Sequence, residues 1–209
     1  MKPSKQDIAY KILKGKIINR EYTETTPISI NTLSKQMKMS ISPIRDALKK
    51  LQEEGFVRII PNQGIYVREL SAHEAGELYD FRLALEEFII RKVHLYLNDD
   101  DYKNLQGMIS EQQEAFERGD SASFLKIDNA FHNYFKKYFK NSIVLDTLTR
   151  LDERLSYIWL KSLEVPGRME QSIEEHKQIL TYLQNEALDK ALSALEEHLQ
   201  RGLFSTRPM

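Results

Sequence analysis

Two short β-rich runs, residues 56–60 and 65–68, interrupt a chain of 209 residues that otherwise keeps helical spacing. Valine, isoleucine, phenylalanine and tyrosine fill them, and Pro61-Asn62-Gln63-Gly64 between them has the chemistry of a hairpin turn. The segment before this hairpin reads as three helices. Ser4 with Asp7 marks the first start, and Ile8, Ile12, Leu13 and Ile17 recur at helical spacing. A polar stretch, residues 19–27, breaks the pattern. Ser29 can cap a short helix with Ile30, Leu33 and Met37 inward. Residues 38–40 make a tight turn, and Ser40 caps a third helix with Ile44, Leu48 and Leu51 inward, closed by Glu53-Glu54-Gly55. Three helices and a hairpin predict a winged helix-turn-helix.

From residue 71 the spacing is helical throughout. Ser71 and Glu74 read as a capping box, and Leu78, Phe81, Leu85 and Phe88/Ile89 form an apolar stripe toward residue 97. Asn98, Asp120 and Asn141 open the next helices, which run toward residues 119, 139 and 163. Val165-Pro166-Gly167 breaks the pattern, and two more helices follow, near 169–183 and 188–203. The tail, residues 202–209, is expected to fray. The predicted fold is mainly α: a winged helix-turn-helix over 1–70, then an all-α antiparallel helical bundle over 71–209.

Charge divides along the same line. Residues 1–69 carry thirteen Lys and Arg against seven Asp and Glu, and the remainder seventeen against twenty-four. A basic N-terminal third on an acidic body suits a polyanion-binding domain attached to one that does not bind polyanions. The absence of cysteine excludes disulfides and thiolate metal sites. No apolar run is long enough to span a membrane, and the N-terminus lacks a signal-peptide core, so a cytoplasmic protein is expected.

Two groups of residues carry chemistry. In the first domain, residues 40–48 open a helix with a capping serine, a turn-favouring proline and an exposed Arg45, at the place of a second helix of a helix-turn-helix. Such a helix start can sit against phosphates while a side chain reaches a base edge. In the second domain, Asp128 and His132 lie four apart on one helix, while His176 and His198 lie on the last two. Spacing leaves two readings open: solvated hydrogen-bonding residues, or a converging carboxylate and three imidazoles suited to a divalent ion such as zinc, nickel, manganese or iron. Arg82 also has two readings. It is either a solvated partner of Glu86 four residues on, or an inward guanidinium that clamps a carboxylate.

Taken together these residues resemble the GntR family of transcriptional regulators, in its FadR-like branch with an FCD-type effector domain, over nearly the whole chain. The carriers are Ser40 to Leu48, Glu54-Gly55-Phe56-Val57 and Asn62-Gln63-Gly64, then Arg82-x-x-Leu85-Glu86, Asp128-x-x-Phe131-His132, Glu175-His176 and His198-Leu199. The resemblance implies a metal site of Asp128, His132, His176 and His198, zinc foremost, with Arg82 near a small organic acid. It implies a homodimer on double-stranded DNA, with no membrane partner. The expected DNA contacts are Ser40, Ser42, Lys35 and Lys49 on phosphates, Arg45 on a guanine edge, and Gln63 and Gly64 from the wing. Ile41 stands where the family usually has arginine, and Asn31 where many members do. With a thymine methyl and an adenine as their contacts an A·T-richer operator is expected, the alternative being a weaker binder that relies on Lys35, Lys38 and Lys49 for phosphate contacts. The expected function is a ligand-responsive regulator, a repressor, and not an enzyme. Rival readings are a metal-sensing regulator and a metal-dependent hydrolase, the latter lacking an evident general base or nucleophile.

Overall fold

The computed structural model describes residues 3–19, 21–61 and 63–204; Asn62 of the predicted turn and residues 205–209 of the predicted frayed tail lie outside them. The chain divides into two compact units, Met1–Ser71 and Ala72–Met209.

The first unit runs α1 (Lys5–Ile18), α2 (Ile30–Met37), α3 (Ile41–Glu53), β1 (Val57–Ile60) and β2 (Gly64–Val67). The Ser4 hydroxyl accepts from the Asp7 N–H while the Asp7 carboxylate accepts from the Ser4 N–H, closing a capping box at the start of α1. That helix buries Ala9, Leu13 and Ile17, whereas Ile12, expected inside, is 40% exposed. The i, i+4 stripe through the small Ala9 lets α1 lie close against α3, whose Ile44, Ala47, Leu48 and Leu51 face it. Between α2 and α3 the chain turns through Lys38 in the left-handed region, φ 51°, and the Ser34 hydroxyl donates to the Met39 carbonyl across the turn at 2.6 Å. Strands β1 and β2 pair antiparallel, Val57 opposite Val67 and Ile60 opposite Gly64. Ile28 joins them through its N–H to the Ile65 carbonyl, a third rung absent from the sequence reading because a single bridging residue leaves no periodicity. Gly64 has φ +125°, and a Cβ there would lie 3.1 Å from Pro27, so glycine is required where wing and residue 27 meet.

The second unit comprises α4 (Ala72–Val93), α5 (Asp99–Glu117), α6 (Ser121–Tyr134), α7 (Ser142–Leu163), α8 (Arg168–Gln184) and α9 (Leu188–Phe204). Asn98, Asp120 and Asn141 cap α5, α6 and α7 through their side chains. Two helices end sooner than their spacing predicts: α4 gives way to a 3₁₀ turn at His94–Tyr96, and α6 to another at Phe135–Tyr138. The last helix continues through Gly202, where fraying was expected. The helices α8 and α9, α5 and α6, α5 and α8, α4 and α9, and α4 and α7 are neighbours, so one core is shared by all six. Among the described residues no helix is long and apolar enough to cross a membrane.

Helix α4 departs from its apolar stripe. It buries Ala75, Tyr79, Arg82, Glu86, Ile89, Ile90 and Val93, while Phe81 is 50% and Phe88 43% exposed. The helix is turned so that an arginine and a glutamate face the core and two phenylalanines do not. Burying charge in preference to phenylalanine is unfavourable unless the charges are paired, which the interior of this unit provides.

Candidate metal centre and nucleic-acid interface

Asp128 and His132 stack one turn apart on α6, His176 lies on α8 and His198 on α9. All four are buried, and one potential ligand atom from each lies within 4.8 Å of every other. Nε2 of His132 is 3.1 Å from Nε2 of His198, and Nε2 of His176 is 3.5 Å from Oδ1 of Asp128. Phe131 holds His176 in place by a stacked contact, ring centroids 4.3 Å apart.

What stands behind each imidazole selects the tautomer of the neutral ring. The Nδ1 atoms meet acceptors: Glu86 Oε2 at 2.9 Å for His132, Gln112 Oε1 at 2.9 Å for His176, and Glu175 Oε2 at 2.7 Å for His198. An Nδ1–H donated to each acceptor leaves the lone pair on Nε2. Three imidazole lone pairs and a carboxylate oxygen then face one another, and the buried Nε2 of His176 has no hydrogen-bond partner. Lone pairs 3.1 Å apart repel unless positive charge lies between them. The donor set fits a divalent ion held by one oxygen and three nitrogens.

The charges around the centre are strongly biased. Burial pushes the Glu86 carboxyl up, but Arg82 and His132 override it and bring it from 4.5 to about 2. Burial opposes ionisation of Glu175 as well, yet His198, Arg168 and Arg201 also hold it at about 2. Burial, with neighbouring positive charge, drives His176 well below the usual 6.5 and lowers His198. Neutral folded histidines that charge on unfolding stabilise the fold above about pH 6.5, and that contribution declines as the pH falls below it. The depressed carboxyls extend the loss from about pH 4.5 toward pH 2. Urea denaturation of metal-free protein should therefore show a midpoint that falls between about pH 8 and pH 5. A flat midpoint across that range would contradict the neutral, buried histidines.

Arg82 points inward, against the solvated reading, though it also pairs with Glu86. Its Nε lies 2.6 Å from Glu86 Oε1 and 3.1 Å from Asp152 Oδ1, and its guanidinium sits 4.0 Å from the Trp159 ring centre. The two carboxyls share one guanidinium; burial, reinforced by the charge of Glu86, raises the Asp152 pKa. A cavity of about 30 Å³ lies beside this cluster, lined by Arg82, Asp128, Trp159, Arg168, His198 and Leu199 among others. That volume holds roughly two water-sized molecules.

Four residues take roles that the sequence reading did not assign to them. Gln112 and Glu175 orient His176 and His198, Glu86 orients His132, and Arg168 lines the cavity. Glu175 and Glu86 were adjacent to recognised residues, at His176 and Arg82, but nothing in their spacing shows which imidazole they meet. Arg168 follows the helix-breaking residues 165–167 and in sequence looks like an exposed helix start.

In the first unit, Asn31, Lys35, Ser40, Ser42, Arg45, Lys49 and Gln63 are exposed, and Ile41 and Gly64 are partly buried. Arg45 and Lys49 of α3 line one open groove of about 610 Å³ together with Gln63 and Gly64 of the wing, over an apolar floor that includes Ile28, Leu48 and Ile65. Asn31 and Lys35 are not among its lining residues. Ser40 takes the N-cap backbone position of α3, but its hydroxyl makes no capping hydrogen bond, contrary to expectation. The reason is Pro43 at the third helical position, where the usual donor N–H is missing.

Residues 5–67 match the gntR family of bacterial regulatory proteins, and residues 77–201 match the FCD domain. The chain is 26% identical over 205 residues to the HTH-type transcriptional repressor RspR of Escherichia coli, covering 98% of this chain and 90% of that one. It is 27% identical to the gluconate operon transcriptional repressor of Bacillus licheniformis, covering 80% of this chain and 68% of that one. The fold is that of E. coli McbR, with a TM-score of 0.79 at 21% identity over 95% of both chains. A regulator designated GntR from Rhodococcus gives 0.81 at 17% identity, also over 95% of both. These relatives are transcriptional regulators, not enzymes. The chain belongs to the GntR family of bacterial transcriptional regulators, with that family's DNA-binding domain joined to an FCD domain.

Proposed function

We propose that this regulator is a cytoplasmic repressor that binds a two-fold operator as a homodimer and responds to a small organic acid. A divalent metal, zinc foremost, is held by Asp128, His132, His176 and His198, and Arg82 binds the acid. The observation that carries this reading is the convergence of three Nε2 lone pairs on a carboxylate, each imidazole pre-oriented through Nδ1. When bound, such an ion offers a Lewis-acidic point to which a carboxylate oxygen can attach. The inward guanidinium of Arg82 supplies a second, forked anchor for the same chemical group. One relative is named for a gluconate operon, and gluconate is a small organic acid. For the homodimer, the supporting feature is the exposed apolar set of Phe81, Phe88, Leu95, Tyr96 and Ile143 in the second unit.

On DNA, α3 enters the major groove with Arg45 toward a base edge, while Ser40, Ser42, Lys35 and Lys49 meet phosphates. Ile41 and Asn31 favour A·T pairs, and Gln63 and Gly64 supply the wing contact. Arg45→Ala should weaken specific operator binding by about 1–3 kcal/mol while leaving the fold intact. A gel-shift titration at fixed salt measures this, and an unchanged midpoint would remove Arg45 from base reading. The same titration, with and without chelator and with a panel of small acids, tests the effector. If chelation alone controls operator release and no acid has an effect, the ion itself is the signal.

A further inference from the structure

The structure repeats one arrangement behind two of the metal-site histidines. On α4, Arg82 lies 2.6 Å from Glu86, which accepts from Nδ1 of His132 at 2.9 Å. On α8, Arg168 donates from Nη2 to Glu175 at 2.8 Å, and Glu175 accepts from Nδ1 of His198 at 2.7 Å. None of these six side chains belongs to a residue more than 6% exposed. Both arginines line the small cavity beside Asp128 and His198. The third histidine differs, because its Nδ1 meets the neutral amide of Gln112.

Both guanidinium groups are incompletely satisfied. Nη2 of Arg82 and both Nε and Nη1 of Arg168 are buried with no hydrogen-bond partner. Buried charged donors without acceptors are unfavourable and rare, and here both arginines line a cavity into which an acceptor can fit. A planar fork of N–H donors is matched best by a carboxylate.

We infer that Arg82 and Arg168 are two arms of one carboxylate site, and that Glu86 and Glu175 pass its occupancy to His132 and His198. The acid and the metal then strengthen each other's binding. With the metal site proposed above as its basis, the coupling follows from charge. In the present structure Arg168 and His198 share the same oxygen of Glu175, Oε2. A carboxylate that engages the Arg168 guanidinium weakens its hold on that oxygen and offsets its positive charge. Glu175 then accepts the His198 Nδ1–H more strongly, which makes Nε2 a better donor. Glu86 acts in the same sense, but more weakly, because Arg82 and His132 meet its two different oxygens. Reciprocity requires the metal to raise affinity for the acid by the same factor.

The test is zinc affinity by competition with a chromophoric chelator, in sodium acetate and in sodium chloride of equal ionic strength. Wild-type protein should bind zinc about tenfold more tightly in acetate. Glu175→Gln keeps the shape of the side chain but removes its charge; zinc should bind roughly tenfold more weakly in chloride, and the acetate-to-chloride ratio should fall below about threefold. Arg168→Lys keeps the charge but not the fork, so the acetate-to-chloride ratio should again fall below about threefold. A merely structural role would shift both salts equally and leave the ratio unchanged. Zinc binding by the wild type with a ratio near one overturns the coupling alone. An undiminished ratio in both variants does the same, because the acid would then act on the ion without the glutamates. No zinc uptake in either salt overturns the metal reading itself, and the coupling with it.

Discussion

Replacing His132 and His176 together by alanine should reduce bound metal from about one ion per chain to background by elemental analysis. The two imidazoles come from different helices, α6 and α8, and the variant leaves one carboxylate and one imidazole, too few donors to retain an ion through purification. The thermal consequence follows from mass action. An ion present at about a thousand times its dissociation constant stabilises the fold by roughly 4 kcal/mol. For a chain of this size that corresponds to about 8–16 °C in melting temperature. Chelator added to wild-type protein should produce a shift of the same order, and added to the double variant none, which separates loss of the ion from loss of the side chains. Equal metal content in wild type and variant would exclude this site.

Phe131→Ala should be the most damaging single substitution near the centre, with a loss of about 3–5 kcal/mol. Phe131 is 1% exposed, meets Phe135 and His132 edge-on and stacks on His176. Its removal opens a cavity and also frees the imidazole ring whose Nε2 faces Asp128. Unfolding in urea measures the first effect and metal content the second. A loss below about 1 kcal/mol would mean that the site collapses around the gap, and that the ring is not what holds His176.

Where local chemistry decides the outcome, the fold was legible. The hairpin around residues 60–64, the side-chain caps at Ser4, Ser29, Asn98, Asp120 and Asn141, and the break at residues 165–167 all act through nearest neighbours. Asp128, His132, His176 and His198 were legible as a set through the family resemblance and not through their spacing, and they converge. What stayed hidden depends on helix rotation and on partners far along the chain. The apolar spacing of α4 points to Phe81 and Phe88 as core, yet the helix turns Arg82 and Glu86 inward because His132 and Asp152 await them there. Gln112 is 64 residues from the histidine it orients, and Glu175 is 23 residues from His198. No local pattern encodes such pairings. Arg168 shows the same limit, since its burial is set by the packing of α8 on α9.

The unfinished start of α3 has a further consequence. Pro43 removes the donor that Ser40 would otherwise have capped, so the first turn keeps the N–H groups of Ile41 and Ser42 and an uncommitted hydroxyl at one point. On the DNA-binding mode proposed above, a phosphate docked there would supply the cap which the chain omits, and the operator would become part of what holds the helix wound. Amide hydrogen exchange in the first turn of α3 should then be faster than in the capped first turn of α1 when the protein is free, and should slow selectively when operator is bound. Reading DNA and completing this helix would be one event.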